Sequence, residues 1–147
     1  MVLKRRFLAR GRSAPPIKHN GVIMPALPPT VLVVEDDFLV RLTAVAMIED
    51  AGFLAVEAES ADDAIELLEA NPGIRLVFTD INMPGSMDGL KLAMYAHSRW
   101  PPLKFIIVSG KPIPGREEMP DGTHFHPKPY LAATIGSSLS ALLACFH

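Results

Sequence analysis

Residues 31–52 read VLVVEDDFLVRLTAVAMIEDAG: four aliphatic residues, three acids, then a helix-length segment closed by glycine. An unbroken aliphatic run of strand length predicts a strand buried on both faces, Val31 to Glu35. From Phe38 to Ala51 the spacing puts Val40, Ala44, Met47, Ile48 and Ala51 on one helical face, and Gly52 supplies the stop. A buried strand that passes straight into a helix opens a β/α unit. The acids between them, Glu35, Asp36 and Asp37, therefore fall at the carboxyl end of a strand.

Outward from this unit the alternation repeats. Phe53 to Ala58 predicts a second strand. Ser60-Ala-Asp-Asp63 looks like a capping box opening a helix, with Ala61, Ile65 and Leu68 inward and Asn71-Pro72-Gly73 at its end. Ile74 to Thr79 predicts the third strand, about Asp88 to Arg99 a helix, and Lys104 to Ser109 the fourth strand. A short fifth strand at Thr123 to His126 precedes a helix from about Pro129 to Cys145 that buries Ile135, Leu139, Leu142 and Phe146. Five such units predict an α/β fold with a doubly wound, five-stranded parallel sheet. One unit breaks the rhythm: KPIPGREEMPDG, Lys111 to Gly122, holds three prolines and two glycines. Helix there is limited to a turn or two near Gly115 to Met119, so the fourth helix is short or irregular.

Composition bounds the rest. With 147 residues, 49% hydrophobic and 20% charged, the chain suits one soluble domain, and no apolar stretch approaches the ~20 residues of a membrane span. A cytoplasmic protein is expected. The net charge of -2 conceals an asymmetry. Residues 1–29 hold six of the 14 basic groups (Lys4, Arg5, Arg6, Arg10, Arg12, Lys18) and no acid, which leaves eight bases against 16 acids, or -8, on the remainder. That segment also carries five prolines and no sustained period, and reads as a disordered extension outside the domain at 30–147. Met24 offers an alternative translation start, which N-terminal mass spectrometry of native protein would decide. Cys145, beside Leu142 and Leu143, is a small apolar residue and forms no internal disulfide. Neither nucleic-acid nor membrane binding has a motif beyond the basic extension, and the chain ends directly after the last helix, so a stand-alone domain is expected.

Ligands of open parallel α/β sheets bind outside the carboxyl ends of the strands. Here those ends are Glu35-Asp36-Asp37, Asp80 in FTDINMPG (78–85), Ser109-Gly110 and Lys128-Pro129. Packing alone favours neutral turn residues at such points, whereas carboxylates converging on one spot repel one another unless a cation joins them. Oxygen donors without His or Cys spacing alongside point to Mg²⁺, which keeps several waters and commonly works with phosphoryl groups. Lys128 can supply an ammonium and Ser109 a hydroxyl to such a group, and a carboxylate is an able phosphoryl acceptor. Asp37 is better read as the cap of the first helix. His124 and His126 alternate along a strand but lack a third ligand, which favours plain packing or surface roles.

VLVVEDD, VFTDINMPG, MDGL, IIVSG and PKPY, in this order across residues 30 to about 145, resemble the receiver domains of two-component response regulators, typified by the stand-alone chemotaxis receiver. The resemblance implies a flavodoxin-like strand order 2-1-3-4-5. It implies that Asp80 accepts a phosphoryl group from a histidine kinase or histidine phosphotransfer protein, in a domain that is a phosphoacceptor and not an enzyme with outside substrates. It further implies Mg²⁺ held by Asp36 directly, Glu35 through water, Asp80, and the Asn82 backbone carbonyl. Ser109 matches the switch hydroxyl, Phe125 the switch aromatic, and Lys128 the lysine whose peptide to Pro129 is cis in this family. Signalling then passes to an unidentified protein target, and the family also allows a homodimer.

Two departures stand out. Met83 to Gly89 holds one apparent extra residue, which a loop tolerates. The proline-rich replacement of the fourth helix lies where receivers engage partners, so partner geometry does not transfer. Two rival readings remain open. A Mg²⁺-dependent aspartyl-phosphate phosphatase would ordinarily carry a second acid two residues after its nucleophile, where this chain has Asn82. A non-phosphorylated interaction module would bind no Mg²⁺ and take no label.

Overall fold

A computed structural model describes residues 16–19, 22–25 and 27–144, with side chains from residue 27 onward. Its main sheet has five parallel strands: β1 (Thr30–Val34), β2 (Leu54–Ala58), β3 (Ile74–Asp80), β4 (Lys104–Ser109) and β5 (His124–Pro127). Their spatial order is β2-β1-β3-β4-β5, the expected 2-1-3-4-5, with every neighbouring pair parallel. The helices are α1 (Phe38–Asp50), α2 (Ala61–Ala70), α3 (Gly89–Arg99) and α4 (Ala132–Leu143). Between β4 and β5 the chain forms only a three-residue 3-10 turn, Arg116–Glu118, as the prolines demand.

The sequence signals act where they stand. Asp37 caps α1, its carboxylate accepting from the Leu39 and Val40 amides at 2.9 and 3.0 Å. Gly52, at φ 99°, makes the turn beyond that helix. Ser60 caps α2 by accepting from the Asp63 amide at 3.2 Å, and Asp88 caps α3 by accepting from the Lys91 amide at 2.9 Å. Central strands are apolar on both sides because helices cover both. Val31, Val33, Leu76, Phe78, Ile106 and Val108 meet α1 and α4, whereas Leu32, Val34, Val77 and Ile107 meet α2 and α3. Pro127 lies on the edge strand β5, where its missing amide proton costs no ladder bond to a further strand.

Three expectations are corrected. The buried stripe of α1 is Arg41, Ala44, Val45 and Ile48, not one running through Val40 and Ala51, because Arg41 turns inward and rotates the stripe by one residue. In α2 the fully buried partner of Ala61 and Leu68 is Ala64, with Ile65 only partly covered. In α4 Ile135 and Leu139 are buried as read, but Leu143 rather than Leu142 completes the row. Within the segment read as an extension, Pro16–His19 and Val22–Pro25 pair antiparallel. Readings that concern residues 1–15, Cys145 and Phe146 lie outside the described residues.

Candidate functional site

Every strand of a parallel sheet points its carboxyl end the same way, so β1, β3 and β4 deliver Glu35, Asp80 and Ser109 to one edge. The turn after β5 adds Lys128. Its ammonium donates to Asp80 Oδ2 at 2.9 Å and faces Glu35 Oε1 at 3.6 Å. Asp80 and Glu35 are 8% and 5% exposed, so both carboxylates have given up most of their water. The Lys128 amide donates to the Ser109 carbonyl at 2.8 Å, and the Lys128–Pro129 peptide is cis.

Electrostatics follow from this crowding. Burial raises the pKa of Glu35, and the neighbouring Asp36 carboxyl and the Asp80 charge push it further up, against the Asp37 amide and Lys128, which lower it. Burial alone would lower Lys128; the hydrogen bond and charge of Asp80, with Glu35 behind, outweigh it and hold the ammonium above its usual range. Tyr130 is raised by its burial. Two carboxylates against one ammonium leave the cluster with unbalanced negative charge, which a further cation would offset.

Asp80, Lys128 and Glu35 are thus brought together, with the exposed Asp36 beside Glu35. Ser109 is beside them through the Lys128 amide, while its hydroxyl accepts from the Lys111 amide at 3.0 Å, at the start of the proline-rich connector. Asn82 is exposed in the turn, its amide leaning toward Asp80 Oδ1 at 3.4 Å. Phe125 stands apart on β5, half-buried against the cluster under α2 and α3. Among the described residues no three His, Cys, Asp or Glu side chains form a ready-made metal cage. The oxygen donors at this edge, carboxylates and a backbone carbonyl, are of the kind Mg²⁺ takes.

Gly89 sits against the site in a way that residue chemistry alone does not reveal. Its amide donates to the Ile81 carbonyl at 2.8 Å, and a Cβ there would lie 1.9 Å from the Asp80 carbonyl oxygen. The start of α3 can press against the backbone of Asp80 only because residue 89 has no side chain. The signal was present as the glycine in MDGL, but an Asp-Gly pair after a loop is equally an ordinary helix start.

His124 and His126 do not face solvent idly. His124 Nδ1 and His126 Nε2 lie 2.8 and 2.7 Å from the Ser138 hydroxyl, which ties β5 to α4. Burial, then the neighbouring His124, lowers the pKa of His126 below the usual 6.5. A depressed value means that the folded chain resists a proton the unfolded chain accepts, so this contribution to stability is complete above 6.5 and is lost as pH falls through the folded value. Melting temperatures taken downward from neutral pH should therefore fall less steeply for His126→Gln than for the native chain; parallel curves would contradict this.

Comparison with known proteins gives the same picture. The family model described as response regulator receiver domain matches residues 31–115. The chain is 39% identical over 82 residues to the sensor kinase CckA of Brucella abortus, covering 55% of this chain and 9% of that kinase. It is 36% identical over 80 residues to the response regulator receiver protein CpdR of the same organism, covering 54% of this chain and 65% of CpdR. The chain thus spans less than two thirds of these relatives' lengths. Among solved structures, a response regulator receiver protein from Sinorhizobium medicae superposes with a TM-score of 0.73 at 26% identity, covering 82% of this chain and 98% of that one. The receiver domain of the hybrid histidine kinase CckA gives 0.65 at 28% identity, covering 78% and 98%. With the fold, the strand-end acids and the family model in agreement, the chain belongs to the response regulator receiver domains of two-component signalling.

Proposed function

We propose that Asp80 accepts a phosphoryl group from the phosphohistidine of a histidine kinase or phosphotransfer protein, with Mg²⁺, and that the modified domain then presents an altered surface to a protein target. The observation that carries this reading is the Asp80 carboxylate, nearly buried at the end of the central strand and bound by Lys128 at 2.9 Å. An Asp80 oxygen forms the new bond to phosphorus while the phosphorus–nitrogen bond breaks, and the departing imidazole takes a proton. The three phosphoryl oxygens need counter-charge and donors, which Lys128 and the amides beyond Asp80 and Ser109 can supply. Glu35, Asp36, Asp80 and the Asn82 carbonyl would hold Mg²⁺, which when bound offsets the charge shared by carboxylates and phosphoryl group. The domain acts as a stoichiometric acceptor that assists its own modification and hydrolysis, in the cytoplasm beside its donor.

Apolar side chains flank this end of the sheet where a donor would approach: Phe38 and Leu39, 57% and 70% exposed, open α1, and Leu131, 72% exposed, precedes α4. Such residues beside a charged site suit transient docking of a helical partner. Within the domain, the phosphoryl group selects a conformation in which Ser109 leaves the Lys111 amide for it, and the 110–125 segment with Phe125 follows.

The test is uptake of label from a small acyl-phosphate donor with and without Mg²⁺. One phosphoryl equivalent per chain, dependent on Mg²⁺, is expected. Absence of label with both the donor and the host's kinases would leave the interaction-module reading in its place, and multiple turnover of phosphate esters would favour a phosphatase.

A further inference from the structure

The inward face of α1 breaks a rule. Positions 41, 44, 45 and 48 form its buried stripe, and the first of these, where an aliphatic residue would pack, is arginine at 8% exposure. Its guanidinium has partners on three sides. Nη1 donates to the Glu35 carbonyl at 2.8 Å, Nε to Glu57 Oε1 at 3.1 Å, Nη2 faces Glu59 Oε2 at 3.9 Å, and the group lies 5.5 Å from the Phe38 ring centroid. Glu57 belongs to β2 and Glu59 directly follows it, so one side chain spans from that strand to the acidic turn after β1.

Arg41 adds one more partner to a residue already held at its other polar groups. The Glu35 amide donates to the Ala58 carbonyl at 3.1 Å, its carbonyl accepts from Arg41, its Oε2 accepts from the Asp37 amide at 3.1 Å, and its Oε1 faces Lys128. The Arg41 bond is the one that holds the peptide joining Glu35 to Asp36, and so the direction in which both carboxyls leave the backbone. We infer that Arg41 is a positioning residue for the Mg²⁺ site: by clamping the Glu35 carbonyl against β2 it presets the Glu35–Asp36 pair toward Asp80. This deepens the proposed function and rests on it.

A charge argument predicts the opposite sign. Arg41 lies among acids, so removing its positive charge makes the region more negative and should draw a dication in more strongly. Losing the clamp should weaken binding, because outer partners that orient metal ligands commonly govern affinity by about tenfold or more. The two effects separate by variant. Lysine keeps the charge but cannot reproduce the planar fork, and glutamine removes both.

Calorimetric Mg²⁺ titration of the full chain, with amide exchange at Asp36 and Asp37 in Mg²⁺-free protein, decides the matter. The expected result is binding about tenfold weaker in both Arg41→Lys and Arg41→Gln, with faster exchange at those amides. Glu57→Gln, which removes one anchor and leaves Arg41 in place, should shift affinity in the same direction by a smaller factor, and serves if the Arg41 variants melt below working temperature. Unchanged affinity in all three, or tighter binding in Arg41→Gln, overturns the inference while native binding upholds the proposed function. A native chain that takes up no Mg²⁺ overturns both.

Discussion

An Asp80→Asn chain should take up no stable phosphoryl label from any donor, a loss of about a thousandfold or more, on the scale seen when a nucleophile is removed. The substitution is nearly isosteric, so the effect should be confined to chemistry. Lys128 keeps Glu35 at 3.6 Å as a partner, and the repulsion between Asp80 and Glu35 is relieved. Loss of the short Lys128 bond and relief of that repulsion act in opposite directions, so the fold should be retained. A second signature is specific to the geometry. Glu35 is raised above 4.5 by burial first and partly by the Asp80 charge, so its contribution to stability is present below that value and is lost as pH rises through the folded pKa. Neutralising residue 80 removes one cause of the rise. Melting temperature should thus decline less on going from pH 4.5 upward in the variant than in the native chain. Label retained at one equivalent by the variant would move the acceptor elsewhere.

Gly89→Ala should be among the most destabilising single-methyl additions available to this fold. The added carbon would stand 1.9 Å from the Asp80 oxygen, 2.8 Å from its carbonyl carbon and 3.0 Å from the Ile81 Cα, all backbone atoms that cannot rotate aside. Either α3 retreats, losing the Gly89 amide bond to Ile81 and the packing of Leu92, Ala93 and Ala96, or the end of β3 shifts. Overpacking at such a point costs about 3 kcal/mol, which for a chain of this size lowers the melting point by about 10 °C. Labelling of Asp80 should fall as well, since the displaced backbone is its own. Native-like melting and labelling in the alanine variant would refute the close approach.

The contrast between these two positions shows what could be read from residues alone. Asp80 and Glu35 are legible because a charge that ends a buried strand violates the local pattern, and Lys128 because it follows a strand of the same parallel sheet and so falls at the same edge. Strand order was legible only through resemblance, since periodicity identifies elements but not neighbours. The stripe of α1 differs at Val40 for a physical reason: apolar periodicity assigns an aliphatic residue inward, and Arg41 is inward because its guanidinium finds oxygen partners on Glu57 of β2, on Glu59 just after it and on the Glu35 carbonyl after β1. Gly89 escaped because its role is an absence of atoms, which only coordinates reveal. Likewise the bridge from His124 and His126 to Ser138 joins residues from different elements, and nothing in the alternation of the two histidines points to a serine on α4.

The connector from Lys111 to Gly122 joins two parallel strands with few backbone hydrogen bonds of its own, chiefly those to Gly115, Arg116 and Pro120 carbonyls. Pro112, Pro114 and Pro120 restrict what this stretch can explore when unfolded, so ordering it forfeits less conformational freedom than ordering an unrestricted chain. Entropy withheld from the denatured ensemble does here what a hydrogen-bonded ladder does in an ordinary crossover helix. Replacing those prolines with alanines would thus loosen the segment without deleting any amide bond it makes.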